Sequence, residues 1–134
     1  MKLLIKNTTI VTVNDQDQIL EHADLAVSGK TIVGVGKAPL DFIPDRVIDG
    51  KGKLVMPGLI NAHTHLSMTL MRNYADDLPF SDWLFKKIKP LEDHLFPEDV
   101  RLGAKLGIAE MIRGGTTCFH DMYFYMDEVA SEVE

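Results

Sequence analysis

The sequence predicts an α/β fold in which a β-rich leader precedes alternating strands and helices. Two observations support this prediction. Residues 1–57 contain short runs of β-branched residues broken by glycines, a composition typical of half-buried strands. From residue 58 onward the apolar spacing alternates between that of a strand and that of a helix, which is the repeating unit of an α/β protein. We therefore expect two domains, residues 1–57 and residues 58–134.

The leader is predicted to contain four strands, two of which form a hairpin. A hairpin is expected around Gly29, because apolar residues at alternating positions lie on both sides of this glycine. A further short strand is expected over residues 46–48, ended by Gly50 and Gly52. The first strand contains the apolar residues Leu3, Ile5, Ile10, Val11 and Val13.

The second domain is predicted to alternate between strands and helices. Residues 59–66 form an apolar run typical of a strand buried on both faces of a parallel sheet. A helix that starts at Ser81-Asp82 follows, and Pro90 should kink this helix or split it in two. A second helix is expected over residues 97–113, with Gly114-Gly115 as its stop. A strand over residues 116–121 and a helix over residues 126–134 complete the pattern. The first helix is predicted from the helical spacing of the apolar residues Leu84, Ile88, Leu91 and Leu95. The inward-facing apolar residues expected for the second helix are Val100, Ala104, Ile108 and Met111.

Charge and composition argue against several classes of function. The formal net charge is −6, whereas a nucleic-acid partner calls for clustered Lys and Arg. No apolar run approaches the ~20 residues that span a bilayer, so neither a nucleic acid nor a membrane is expected as a partner. The single cysteine, Cys118, cannot form an internal disulfide and is typical of a reducing compartment. We predict a cytoplasmic protein in which Cys118 is a small buried hydrophobe.

His63 and His65 are the strongest candidates for chemistry. Side chains at i and i+2 of a strand project from the same face, so two imidazoles can converge on one metal ion. They also lie at the carboxyl end of the predicted strand, where the active sites of α/β barrels are built. The spacing alone also fits two surface histidines that bind no metal, so both interpretations stay open at this point.

The stretch IDGKGKLVMPGLINAHTHL, residues 48–66, resembles the entry to the barrel in the amidohydrolase superfamily. The resemblance continues through LSMTLMRNYADDLPFSDWLFKKIKPLEDHLFPEDV to GGTTCFHDMYF, and the middle stretch is similar to the branch of 5-methylthioadenosine/S-adenosylhomocysteine deaminases and chlorohydrolases. The resemblance implies the N-terminal part of a metal-dependent (β/α)8 hydrolase barrel, preceded by strands of a small β-sandwich domain. It also implies that His63 and His65 bind the catalytic metal, which is zinc, or iron in some relatives.

The resemblance further implies two substrate-binding residues. Glu92 matches a glutamate that accepts hydrogen bonds from ribose hydroxyls, and Trp83 matches an aromatic residue that lines the substrate pocket. By position alone, Glu92 is a solvated helix residue and Trp83 a core residue, so each keeps two interpretations. Arg72 could face the pocket. Asp121 could orient a metal ligand or cap the turn that follows it.

The function that the resemblance implies is hydrolytic deamination, at a cyclic amidine, of an adenosine-type nucleoside with release of ammonia. The alternatives are a chlorohydrolase or a guanine or cytosine deaminase of the same superfamily, and an inert piece that needs the rest of the barrel. A complete barrel takes roughly 250 residues, against 134 here. We therefore expect a fragment, inactive alone and without its own acid/base catalytic residue. The full-length protein is expected to be a homo-oligomer that acts on a small nucleoside-like molecule.

Overall fold

The computed structural model describes residues 1–134, which form a mixed α/β fold with seven strands. The chain divides into two compact units, Met1–Pro57 and Gly58–Glu134. None of the helices combines the length and the apolar character that crossing a membrane requires.

The first unit is a five-stranded sheet centred on β1 (Lys2–Val11). β1 pairs antiparallel with β2 (Ile19–Ser28), which pairs antiparallel with β3 (Thr31–Gly36). The other neighbours of β1 are the parallel strands β4 (Arg46–Asp49) and β5 (Leu54–Val55). The sequence did not predict β5, because two residues are too few for a periodic pattern.

The predicted hairpin between β2 and β3 is confirmed. Ser28 pairs with Thr31 across a two-residue turn, and Gly29 adopts a φ of +61° that glycine tolerates without strain. The core of this unit consists of Ile10, Ala23 and Leu25, against which Ile5, Leu20, Val27 and Val55 pack.

The second unit contains two parallel strands, β6 (Leu59–Thr64) and β7 (Thr116–Asp121). Between them lie a 3-10 segment (Leu66–Met71) and the helices α1 (Phe80–Trp83), α2 (Lys89–Glu92) and α3 (Pro97–Gly114). Helix α4 (Met126–Val133) follows β7. This order of strand, helix, strand and helix agrees with the predicted alternation.

Helix α3 packs directly on the 3-10 segment that follows β6. A Cβ added to Gly103 would lie 2.5 Å from the carbonyl oxygen of Ser67, so only glycine permits this approach. Two hydroxyls fasten the contact, because Ser67 Oγ donates to the Val100 carbonyl and Thr69 Oγ1 to that of Gly103, each at 2.7 Å. The core around this contact is Leu66, Val100, Ala104 and Val129, with Ile108 and Met111 packed against it.

Helix α3 begins and ends as its sequence predicts. Pro97 occupies the first position, where its missing N–H costs nothing. The Asp99 carboxylate accepts a hydrogen bond from the Phe96 amide at 2.9 Å, and Gly115 ends the helix at a φ of +85°. The helix extends one residue beyond the predicted end.

The helix that was expected to kink or split at Pro90 contains a π-helical turn, which ends two residues before this proline. The turn spans Leu84–Ile88 and joins α1 to α2, and the Lys89 amide donates to the Leu84 carbonyl five residues earlier. Pro90 lies in the first turn of α2, where it lacks no required donor. We call the whole helical stretch, residues 80–92, the wall segment.

Two burial predictions are wrong in this structure. Leu59 is 50% exposed and Ile60 is 73% exposed, so β6 is not buried on both faces. Cys118, on the neighbouring β7, is exposed rather than buried. The physical reason is that the second unit has a sheet of only two strands, and its helices do not cover these side chains.

Candidate functional site

The two histidines of the H-x-H motif converge, as their spacing predicts. His63 lies near the end of β6 and His65 directly follows this strand. Their Nε2 atoms are 3.4 Å apart, and the rings meet edge to face. Two nitrogens bound to one tetrahedral zinc ion at about 2.0–2.1 Å lie roughly 3.3 Å apart. The separation therefore fits two ligands of a single cation.

A backbone carbonyl sets the tautomer of His65. Nδ1 of His65 lies 2.7 Å from the carbonyl oxygen of Met122. Because a carbonyl oxygen only accepts, Nδ1 carries the proton and donates it in this hydrogen bond. The lone pair is then on Nε2, which is the form that metal ligation requires.

Two further hydrogen bonds tie the end of β6 to the end of β7. The Met122 amide donates to the Thr64 carbonyl at 3.2 Å, and the Leu66 amide donates to Asp121 Oδ1 at 3.1 Å. Together with the bond from His65, they form what we call the strand-end clamp. Asp121 thus accepts from the neighbouring strand's end, while its Oδ2 is buried and has no hydrogen-bond partner.

A cavity of about 460 Å³ opens beside the clamp. It brings together His65, Trp83 and Glu92, three of the predicted site residues, whereas His63 is not among its lining residues. The rest of the lining is mostly apolar and aromatic: Met68, Phe80, Leu84, Ile88, Lys89, Met122, Tyr123 and Phe124. A mostly apolar cavity with a few polar groups is the usual form of a small-molecule site.

The side chain of Glu92 is only 7% exposed, so the interpretation of Glu92 as a solvated residue is wrong. Its Oε2 lies 3.1 Å from Nζ of Lys89. Trp83 is half-buried beside Phe80, with ring centroids 6.0 Å apart, so it lines the cavity rather than the core.

Tyr123 places a second polar group beside Glu92. Burial raises the pKa of the Tyr123 phenol well above its ordinary value, and the negative charge of Glu92 adds to this effect. The hydroxyl nevertheless makes no hydrogen bond of standard geometry with any protein group. Tyr123 is therefore neutral at pH 7, with a donor available inside the cavity region. The sequence did not predict Tyr123 as a site residue, because only the fold shows that its side chain, two residues after the end of β7, lines the cavity.

Arg72 does not face the cavity. Its guanidinium donates to both carboxylate oxygens of Glu110 on α3, at 2.8 and 2.6 Å. The hydrogen bond and charge of Arg72 hold the pKa of Glu110 below its ordinary value, although burial opposes this effect. The pair joins the end of the 3-10 segment to α3.

The chain contains no group of three or more His, Cys, Asp or Glu side chains arranged to hold a metal ion. A catalytic zinc site takes three protein ligands and an open position. Imidazole nitrogens suit zinc and iron, so the donor set of His63 and His65 fits two ligands of such a site. His120, for which no ligand role was predicted, is exposed on β7.

Residues 54–134 match the Amidohydrolase family, and the chain belongs to this family. It is 52% identical to a 5-methylthioadenosine/S-adenosylhomocysteine deaminase of Acetivibrio thermocellus, over 99% of this chain and 32% of that relative. The chain thus spans about a third of the length of this relative.

Two solved structures show the same fold. An adenosine deaminase from Xanthomonas campestris with bound zinc has a TM-score of 0.88 and 43% identity, over 97% of this chain and 30% of that one. An atrazine chlorohydrolase from Arthrobacter aurescens, complexed with zinc, has a TM-score of 0.87 and 30% identity, over 97% of this chain and 32% of that one.

Proposed function

We propose that this chain forms the first part of a (β/α)8 barrel within a protein of its relatives' length, which we call the full-length protein. Residues 58–134 supply the first βα units, and residues 1–57 supply strands of a small β-sandwich. The similarity to two solved amidohydrolases over 97% of this chain supports this proposal. The parallel pairing of β6 with β7 is the pairing that a barrel of this kind requires.

His63 and His65 are the proposed ligands of a divalent cation in the full-length protein. Zinc is the first choice, because two similar structures contain it, and iron is the alternative. A bound cation of this kind lowers the pKa of a coordinated water to about 7. The strand-end clamp presents Nε2 of His65 in the correct tautomer, and later strands would supply the remaining ligands and the acid/base group.

The proposed reaction is hydrolytic deamination of an adenosine-type nucleoside. The oxygen of water bonds to the ring carbon that carries the amino group, and the bond between this carbon and the amino nitrogen breaks. The amino nitrogen takes one proton of the water and leaves as ammonia, while the product keeps the oxygen as a carbonyl and the other proton. The observation that carries this proposal is the position of Glu92, whose carboxylate is almost buried in the same cavity as His65. An ionised carboxylate can accept from two neighbouring hydroxyls, which suits a ribose, and Trp83 supplies an aromatic wall.

A chlorohydrolase is the second candidate, favoured by the similarity to the atrazine chlorohydrolase. In that reaction water replaces chloride on a triazine ring. A triazine, like the free base of a guanine or cytosine deaminase, has no ribose hydroxyls for Glu92 to bind. Glu92 therefore argues for the nucleoside.

Steady-state assays of the full-length protein with zinc test this function. We expect ammonia release from 5-methylthioadenosine and S-adenosylhomocysteine, and little or no release of ammonia from guanine or cytosine, or of chloride from a chlorotriazine. The 134-residue chain alone should turn over none of them. Chloride release without nucleoside turnover would identify the second candidate instead. Turnover by the 134-residue chain would contradict the proposed dependence on the rest of the barrel.

A further inference from the structure

Lys89 is a cation of the cavity wall that the proposed chemistry does not use. Its Nζ lies 3.1 Å from Oε2 of Glu92 and 5.0 Å from the ring centroid of Phe124. Among the residues that line the cavity it is the only Lys or Arg. The lysine side chain is 45% exposed, whereas that of Glu92 is 7% exposed.

Two residues from different parts of the chain contact the ammonium group of Lys89. Glu92 is on the same short helix as Lys89, three residues later, whereas Phe124 follows β7. A carboxylate taken out of water is costly unless a counter-charge accompanies it, and Lys89 supplies that charge. An ammonium over an aromatic face is also attracted to it. The position of the Glu92 carboxylate is thus coupled to the loop after β7.

The ion pair also leaves the Glu92 carboxylate able to accept further hydrogen bonds. Lys89 contacts Oε2, no cationic side chain pairs with Oε1, and the neighbouring donor is the Tyr123 hydroxyl. A free carboxylate on a flexible side chain samples several orientations, and all but one of them are given up when a ligand binds, which costs conformational entropy. Holding one orientation in advance removes part of that loss.

We propose that Lys89 is a positioning residue for nucleoside recognition, which holds the Glu92 carboxylate in the orientation that accepts ribose hydroxyls. This inference rests on the proposed function of Glu92. Lys89 acts through Glu92 and does not itself contact the substrate. The contribution of Lys89 to substrate binding therefore requires a ribose in the substrate, and it does not depend on the charge of the substituent that the ribose carries.

The chain offers a matched control in Lys86. This lysine lies three residues earlier in the wall segment and pairs with Asp82 at 2.7 Å, but its side chain is 70% exposed and does not line the cavity. Lys89→Met and Lys86→Met thus remove the same charge, one from the cavity and one from the surface. Lys89→Arg keeps the charge at the cavity position.

The test uses these variants in the zinc-loaded full-length protein, together with Glu92→Gln and the double variant Lys89→Met/Glu92→Gln. KM and kcat are measured for 5-methylthioadenosine, which is uncharged, and for S-adenosylhomocysteine, which carries a carboxylate. We expect Lys89→Met to raise KM about tenfold for both nucleosides, with kcat within about twofold. Lys86→Met should change neither constant, and Lys89→Arg should recover most of the loss. In the Glu92→Gln background, Lys89→Met should have no further effect.

Three results would overturn the inference. They are an unchanged KM in Lys89→Met, an equal further loss in the Glu92→Gln background, and a loss confined to S-adenosylhomocysteine. The last would show direct binding of the carboxylate. Calorimetric binding of adenosine separates a failure of the Lys89 inference from a failure of the proposed function. If the wild-type protein binds no nucleoside, both are refuted. If it binds nucleoside without turnover, the deaminase function fails, but the effect of Lys89→Met on Kd still tests the role of Lys89. Circular dichroism checks that each variant folds.

Discussion

The strand-end clamp and the wall segment contribute to one cavity by different physical means. In the clamp, each of the three hydrogen bonds has a main-chain group as donor or acceptor, and two of them involve Met122. In the wall segment, the cavity groups are held by contacts between side chains, such as that of Lys89 with Glu92. The bond from the Met122 amide to the Thr64 carbonyl needs no side chain, and the clamp's other two bonds use one side chain each, those of His65 and Asp121. We expect substitutions in the clamp to affect metal binding by the full-length protein, and substitutions in the wall segment to affect substrate binding.

The largest expected effect comes from removing a proposed ligand in the clamp. In the full-length protein, His65→Ala should lower metal affinity by more than about 100-fold, since partners of metal ligands alone contribute 10–100-fold. Metal content after dialysis and kcat/KM measure the effect. His22→Ala is the control, because His22 is exposed in the first unit and bonds only to Asn7. Full metal content in His65→Ala would refute the proposed ligand.

The next effect concerns the carboxylate of the clamp. Asp121→Ala removes the acceptor of the Leu66 amide and should weaken metal binding by about 10–100-fold in the full-length protein. Asp121→Asn keeps an oxygen at that position and should recover much of this loss. Competition with a zinc chelator measures the affinity without recourse to activity. Equal losses in both variants would mean that the charge, rather than the hydrogen bond, is what matters.

In the wall segment, Glu92→Gln should act on the substrate and not on the metal. The amide keeps one acceptor but loses the charge, and hydrogen bonds to charged groups contribute about 1.5–3 kcal/mol. We expect KM for 5-methylthioadenosine to rise roughly 10- to 100-fold while zinc content stays unchanged. Glu98→Gln, at an exposed glutamate of α3, is the control. A loss of zinc in Glu92→Gln would remove the distinction between the two regions.

The smallest effect is expected at Arg72, outside both regions. Because Arg72 lowers the pKa of Glu110, the pair stabilises the fold above the ordinary pKa of glutamate, and this contribution is lost as the pH falls and Glu110 takes up a proton. Arg72→Gln should therefore lower Tm slightly at pH 7, and this difference should shrink as the pH is lowered through the depressed pKa of Glu110. Thermal unfolding at a series of pH values from 7 downward checks this, with turnover unchanged at pH 7. A Tm difference that persists at low pH would contradict the account.

The strands and the long helix were predictable because their signals are local. Residues 116–121 form β7 as expected, and Pro97 and Gly115 mark the two ends of α3. The convergence of His63 and His65 likewise follows from the period of a strand, which places alternate side chains on one face. Such features depend on a few neighbouring residues and need no knowledge of the rest of the fold.

The features that were not predicted depend on contacts between distant segments. Arg72 pairs with Glu110, 38 positions later, and the charge pattern around Arg72 contains no sign of that partner. Cys118 and Ile60 are apolar strand residues, but their exposure depends on which elements cover the sheet. The short spacing of Lys89 and Glu92 allows an ion pair, yet only the fold shows that the pair borders a cavity.

The π-helical turn at Leu84–Ile88 has an evolutionary consequence. A turn of this kind accommodates one more residue than an α-helical turn, and one residue corresponds to about 100° of rotation around a helix. Deleting a single residue here would return the turn to α-helical geometry and leave Lys89 and Glu92 in their present direction relative to Phe80 and Trp83. The wall segment can therefore gain or lose one residue at this turn while the polar lining of the cavity is kept, whereas the same change in an α-helical turn would rotate that lining by about 100°.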